Sequence, residues 1–143
     1  MQSPRVLIIE DDAATTKLLA YILGDAGHDV TTADSALGAT TLTQQLRPDL
    51  ILLDLGLPYR SGTSLLAELK ADPATAHVPV IVVSALTPIL TAERAAQADA
   101  VVNKPFSPLA LLDVVETVCG RHPRTVPGPK PQSPESAPPA RPD

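Results

Sequence analysis

Short, unbroken apolar bursts rich in valine and isoleucine recur at Val6–Ile9, Leu50–Leu53, Val78–Val83 and Ala100–Val102. Polar residues do not interleave within them, so neither face of these segments is meant for water. That is the pattern of β-strands covered on both sides. Asp29–Ala33 (Asp-Val-Thr-Thr-Ala) is β-branched but weaker, and reads as a strand nearer an edge.

Helical stretches separate the bursts. Thr15–Leu23 sets Leu18, Leu19 and Ile22 at helical spacing, and Gly24 or Gly27 supplies a left-handed stop. Ser35–Leu46 carries Leu42 and Leu46 and ends before Pro48. Thr63–Lys70 sets Leu65, Leu66 and Leu69 on one side. Thr87-Pro88 and Ser107-Pro108 are matching helix starts, a hydroxyl cap followed by proline at the first helical position. The second opens Leu109–Cys119, with Leu111, Leu112, Val115 and Val118 facing inward. Five strands alternating with five helices, joined by right-handed crossovers, predict an open, doubly wound parallel α/β sheet. Ligands of such sheets sit outside the carboxyl ends of the strands, here just after Ile9, Leu53, Val83 and Val102.

Proline sets the domain boundary. Eight of the 16 prolines fall within Arg121–Asp143, where Val126 is the only large aliphatic residue. Such a segment cannot offset its ordering entropy by burial, so 121–143 is expected to be a disordered, polyproline-II-prone tail. Residues 1–120 form the expected folded unit, long enough to build its own core. The 143-residue chain has a formal charge of −5, which speaks against direct nucleic-acid binding. No apolar run approaches the ~20 residues of a membrane-spanning helix. One cysteine, Cys119, excludes an internal disulfide and suits a reducing cytoplasm.

The predicted carboxyl rim gathers Glu10, Asp11 and Asp12 after the first strand, Asp54 after the third, Ser84 after the fourth, and Asn103-Lys104-Pro105 after the fifth. Asp12 doubles as a helix cap. Glu10, Asp11 and Asp54 converging at strand ends repel one another, and a divalent cation relieves that repulsion. Oxygen-only ligation by carboxylates and water suits Mg²⁺ or Mn²⁺. Lys104 reads as the cation for an anion held beside the metal. Ser84 lacks a Gly-x-Ser-x-Gly frame, which argues against an acyl-transfer nucleophile. His28, His77 and His122 are too scattered for a ligand cluster and read as surface positions, and Pro131-Gln132-Ser133-Pro134 reads as plain linker.

These residues resemble the receiver domain of two-component response regulators, a flavodoxin-like (βα)5 fold. Val6 through Asp12, Asp54-Leu55-Gly56-Leu57-Pro58 with Gly62, Val82-Val83-Ser84-Ala85, and Lys104-Pro105-Phe106 stand in family order from about Arg5 to Cys119. The resemblance implies that Asp54 is the phosphoacceptor, taking a phosphoryl group from a sensor histidine kinase or a phosphotransfer protein. It implies Mg²⁺ held by Asp11, Asp54 and the Gly56 backbone carbonyl, with Glu10 acting through water. Lys104 and Ser84 would bind phosphoryl oxygens. The chain would be a stand-alone cytoplasmic signalling domain and not a turnover enzyme. Its output would pass through protein contacts, with no nucleic acid or membrane as partner.

Three departures from the family pattern stand out. Ser84 and Lys104 are 20 positions apart, closer than the family usually has them, so the fourth helix is expected to be short. Val101 occupies the place of a common aromatic residue three before the lysine. Gly56 and Leu86 occupy positions that tune dephosphorylation, with side chains unable to orient water. The alternative function is a phosphorylation-independent interaction module on the same fold. A haloacid-dehalogenase-type phosphatase usually has an acid two residues after its nucleophile, where this chain has Gly56.

Overall fold

The computed structural model describes residues 4–57, 61–85 and 93–121. Five strands run β1 Arg5–Ile9, β2 Asp29–Ala33, β3 Leu50–Leu53, β4 Val80–Ser84 and β5 Ala100–Asn103. They form one parallel sheet in the order β2-β1-β3-β4-β5. The described helices are α1 Ala13–Asp25, α2 Ala39–Leu46, α3 Gly62–Ala71 and α4 Pro108–Arg121. This is the doubly wound parallel sheet that the sequence pattern predicts, in the flavodoxin-like receiver topology that the resemblance implies. The expected helix start at Thr87-Pro88 lies outside the described residues, as does nearly all of the proline-rich segment.

The pleat divides the core in two. Leu7, Ile9, Ile51, Leu53, Val80 and Val82 face the α2–α3 side with Leu65, Leu66 and Leu69. Val6, Ile8, Leu50, Leu52, Ile81 and Val83 face α1 and α4, against Leu19, Leu23, Leu111, Val115 and Val118. Alternate residues of one strand therefore serve opposite layers, which is why the bursts carry no polar residue. Edge strand β2 is the exception, with Asp29, Thr31 and Thr32 exposed.

Local chemistry shifts two boundaries. Helix α2 begins at Ala39, not Ser35. The Ser35 hydroxyl accepts the Leu37 N–H, and Gly38 takes φ 70°, so turn geometry consumes the first residues. Strand β4 begins at Val80, because Val78 N–H turns back to the Thr75 carbonyl and Pro79 has no N–H to give. Leu18 is not a core residue: it is 47% exposed, and α1 buries Leu19, Ile22 and Leu23 instead. The left-handed stop after α1 falls at Gly27, φ 96°.

At the amino ends of the strands one lysine ties three segments together. Lys70 Nζ donates to the carbonyls of Ala76 (3.4 Å) and Val78 (2.9 Å) and pairs with Asp99 Oδ2 at 3.2 Å. The same Asp99 oxygen accepts the Val80 N–H at 2.8 Å. The ammonium thus joins the end of α3 to the entries of β4 and β5.

Candidate functional site

The chain leaves β1 toward β2 on one side, while β3 pairs with β1 on the other, so a crevice opens above the β1–β3 boundary. Two carboxylates mark that boundary, each held by backbone pairing just past its strand. Glu10 N–H donates to the Ala33 carbonyl and Asp54 N–H to the Ile9 carbonyl, both at 3.0 Å. Glu10 is 2% exposed and Asp54 9%, whereas Asp11 faces solvent. One oxygen from each of the three lies within 4.8 Å of the others.

Asp12 is not part of this group. Its Oδ2 accepts the Thr15 N–H at 3.0 Å and the Thr15 hydroxyl, capping α1. Those bonds, the hydroxyl first, hold its carboxyl below the usual carboxylate range.

Glycine shapes the floor. Gly56 N–H donates to Asp54 Oδ1 at 3.2 Å, and a Cβ there would stand 4.0 Å from both carboxylate oxygens. Gly62, at the start of α3, packs directly on the backbone of the acceptor loop. A Cβ on it would lie 2.6 Å from Leu55 Cα and nearer still to the Asp54 carbonyl oxygen. Its N–H donates to the Leu55 carbonyl at 2.8 Å. Any other residue would push the loop that carries Asp54 off the helix.

The far wall comes from β4 and β5. Ser84 closes β4, 2% exposed, and its carbonyl accepts the Lys104 N–H at 2.8 Å. The Lys104–Pro105 peptide is cis. Lys104 Nζ lies 2.8 Å from Glu10 Oε1, a charge-assisted bond spanning 94 residues of sequence. Burial, reinforced by the neighbouring Asp54 charge, pushes the Glu10 carboxyl above its ordinary pKa, and the Lys104 contact opposes that rise. Glu10, Asp11, Asp54 and Lys104 thus converge, with Ser84 buried on the adjoining strand end.

The donor set fits a hard divalent cation: three carboxylates within ligand distance of one another, with no sulfur or imidazole among them. Glu10, Asp11 and Asp54 are the residues able to hold it, and Lys104 already balances part of their charge.

Three features escape sequence reasoning. Gly62 stands in the motif, but its backbone contact is visible only in three dimensions. Asn103, a polar residue ending an apolar strand, has its Oδ1 buried without a hydrogen-bond partner. The interruption Val101-Val102-Asn103 was its only signal. His28 is not a plain surface residue either: it is half-buried, and its Nδ1 is enclosed and unpartnered.

Comparison with known proteins agrees with this geometry. The response regulator receiver domain family matches residues 6–116. The transcriptional regulator RpaA of Synechocystis is 38% identical over 120 residues, covering 82% of this chain and 50% of RpaA. The chain thus spans about half the length of such DNA-binding relatives. The polar-differentiation response regulator DivK of Brucella anthropi is 32% identical over 117 residues, covering 80% of this chain and 95% of DivK. The receiver domain of a sensor histidine kinase from Pseudomonas aeruginosa PAO1, solved with magnesium coordinated in its active-site cleft, superposes with a TM-score of 0.77. It is 25% identical and covers 82% of this chain and 98% of its own. Chemotaxis protein CheY4 of Vibrio cholerae superposes with a TM-score of 0.74 at 26% identity, covering 81% and 98%. With the match spanning most of its length, the chain belongs to the response regulator receiver domain family, whose members accept a phosphoryl group rather than turn over a substrate.

Proposed function

We propose that Asp54 accepts a phosphoryl group from the phosphohistidine of a sensor histidine kinase or phosphotransfer protein, in a Mg²⁺-dependent relay. The observation that carries this reading is the convergence of Glu10, Asp11 and Asp54 at the β1–β3 crevice with Lys104 beside them. An Asp54 oxygen attacks phosphorus, the P–N bond breaks, a P–O bond forms, and the imidazole leaves with the electron pair. The product is an acyl phosphate. Such a transfer asks the protein chiefly to position groups and neutralise oxygen charge. The Gly56 N–H orients Asp54 Oδ1. Lys104, at 2.8 Å from Glu10, exchanges that carboxylate for a phosphoryl oxygen, and the Ser84 hydroxyl donates to another.

Asp11, Asp54 and the Gly56 carbonyl would hold Mg²⁺, with Glu10 acting through water, and the ion would supply charge neutralisation at the transferring group. Replacing one carboxylate charge by about −2 gives the β4 end a new attraction, and the signal passes on through protein contacts.

We further infer that the chain acts as a stand-alone cytoplasmic receiver. The likeness to DivK along 95% of that protein favours this, and the half-length match to RpaA is the competing precedent. Among the described residues no helix is long and apolar enough to cross a membrane.

The test is intact mass after exposure to acetyl phosphate and Mg²⁺. The native chain should gain one phosphoryl group and Asp54→Asn none, with the fold unchanged by circular dichroism. Uptake by Asp54→Asn at the native rate would overturn the assignment.

A further inference from the structure

Asn103 closes β5 immediately before Lys104, and its carboxamide oxygen is buried with no hydrogen-bond partner. Leaving such an acceptor empty is costly, and native interiors rarely do it without a functional reason. The sheet register identifies the donor. Ser84 and Asn103 are Cα partners across the β4–β5 pair. Register partners in a parallel pair point to one face, and by the strand alternation this is the face of Val82 and Val101. Ser84 is itself 2% exposed, so little water competes there.

We propose that Asn103 is a positioning residue that acts through Ser84. While Asp54 is unmodified, a change of Ser84 rotamer lets its hydroxyl donate to the Asn103 carboxamide oxygen. A hydroxyl has one proton to give, so that bond must be surrendered before Ser84 can donate to a phosphoryl oxygen. The phosphoryl group wins because hydrogen bonds to charged acceptors are stronger than neutral ones. Asn103 therefore sets a threshold for phosphoryl uptake and draws the hydroxyl back after hydrolysis. The inference rests on the reading of Asp54 and Ser84 given above.

The experiment is a double-mutant cycle on the full chain, measuring the rate of phosphoryl uptake from phosphoramidate with Mg²⁺. Asn103→Leu keeps the shape and removes the acceptor, and should speed uptake about fivefold, the fold-change of losing one neutral hydrogen bond. In a Ser84→Ala background the same substitution should change the rate by less than about twofold. Thermal melts check folding, and Asn103→Ala replaces Asn103→Leu if the larger side chain unfolds the domain. An equal effect in both backgrounds marks Asn103 as merely structural and overturns the proposal. So does a slowed or unchanged rate when Asn103→Leu is made in the otherwise native chain, the result expected if an ordered water fills the site. If Asp54→Asn abolishes uptake while the coupling is absent, only this inference fails. If the native chain takes up no phosphoryl group, the reading of Asp54 fails and this one with it.

Discussion

His28 lies in the turn between α1 and β2, its ring half-buried and its Nδ1 enclosed. Burial pulls its pKa below the ordinary value of 6.5, and the Glu116 carboxylate only partly restores it. The folded state therefore binds this proton less readily than the unfolded chain. Stability from this residue is full above pH 6.5 and is lost as the pH falls from there through the lower, folded pKa. Urea melts at pH 7.5 and 5.5 should show a loss on acidification that His28→Gln reduces. An unchanged difference in that variant would discount the histidine. Sequence could not supply this. His28 carries no pattern that distinguishes a solvated imidazole from an enclosed one, because enclosure depends on where α4 packs. Glu10, Asp11, Asp54 and Lys104 were legible for the opposite reason. Each stands within two residues of the end of an apolar burst, and a parallel sheet brings such positions to one rim whatever the details of packing. The 2.8 Å contact between Lys104 and Glu10 was not legible, since nothing local fixes which carboxylate an amine will choose.

Among the elements, α3 has the most demanding seat. Its first residue, Gly62, lies flat against the backbone of Asp54 and Leu55, while Ser61 caps the helix by accepting the Ser64 N–H at 3.1 Å. Gly62→Ala should cost about 2–3 kcal/mol, because the obstacle is backbone and cannot rotate away. It should also slow phosphoryl uptake by displacing the Asp54 loop. A denaturant titration reads the first effect and the phosphoramidate rate the second, and a melt within about 0.5 kcal/mol of the native chain would refute the contact. Strands β2 and β3 fall where the sequence puts them, at Asp29–Ala33 and Leu50–Leu53. Period and β-branching are enough for strands in a covered sheet. Helix starts were harder. Ser35 and Gly38 compete with the helix for the backbone by forming their own turn, and only Ala39 onward wins. The exposure of Leu18 has a similar origin, since a three-residue apolar spacing does not say which flank of the stripe meets the sheet.

At the scale of the whole molecule, both layers of the core are built by described residues that reach no further than Cys119, and the family match ends at residue 116. A chain ending at Arg121 should therefore keep its melting temperature within about 2 °C and its phosphoryl uptake unchanged. A clear drop in either would show that residues 122–143 pack on the domain. The Lys70 clamp has a further consequence for how this molecule handles a signal. The entries of β4 and β5 are fastened through Asp99 and two carbonyls, while their exits carry Ser84, Asn103 and Lys104 into loops. The pair behaves as a cantilever, fixed at the base and loaded at the tip. Deflection grows with distance from the anchor, so displacement is greatest at Ser84, Asn103 and Lys104 on the rim and least where Lys70 and Asp99 hold the base.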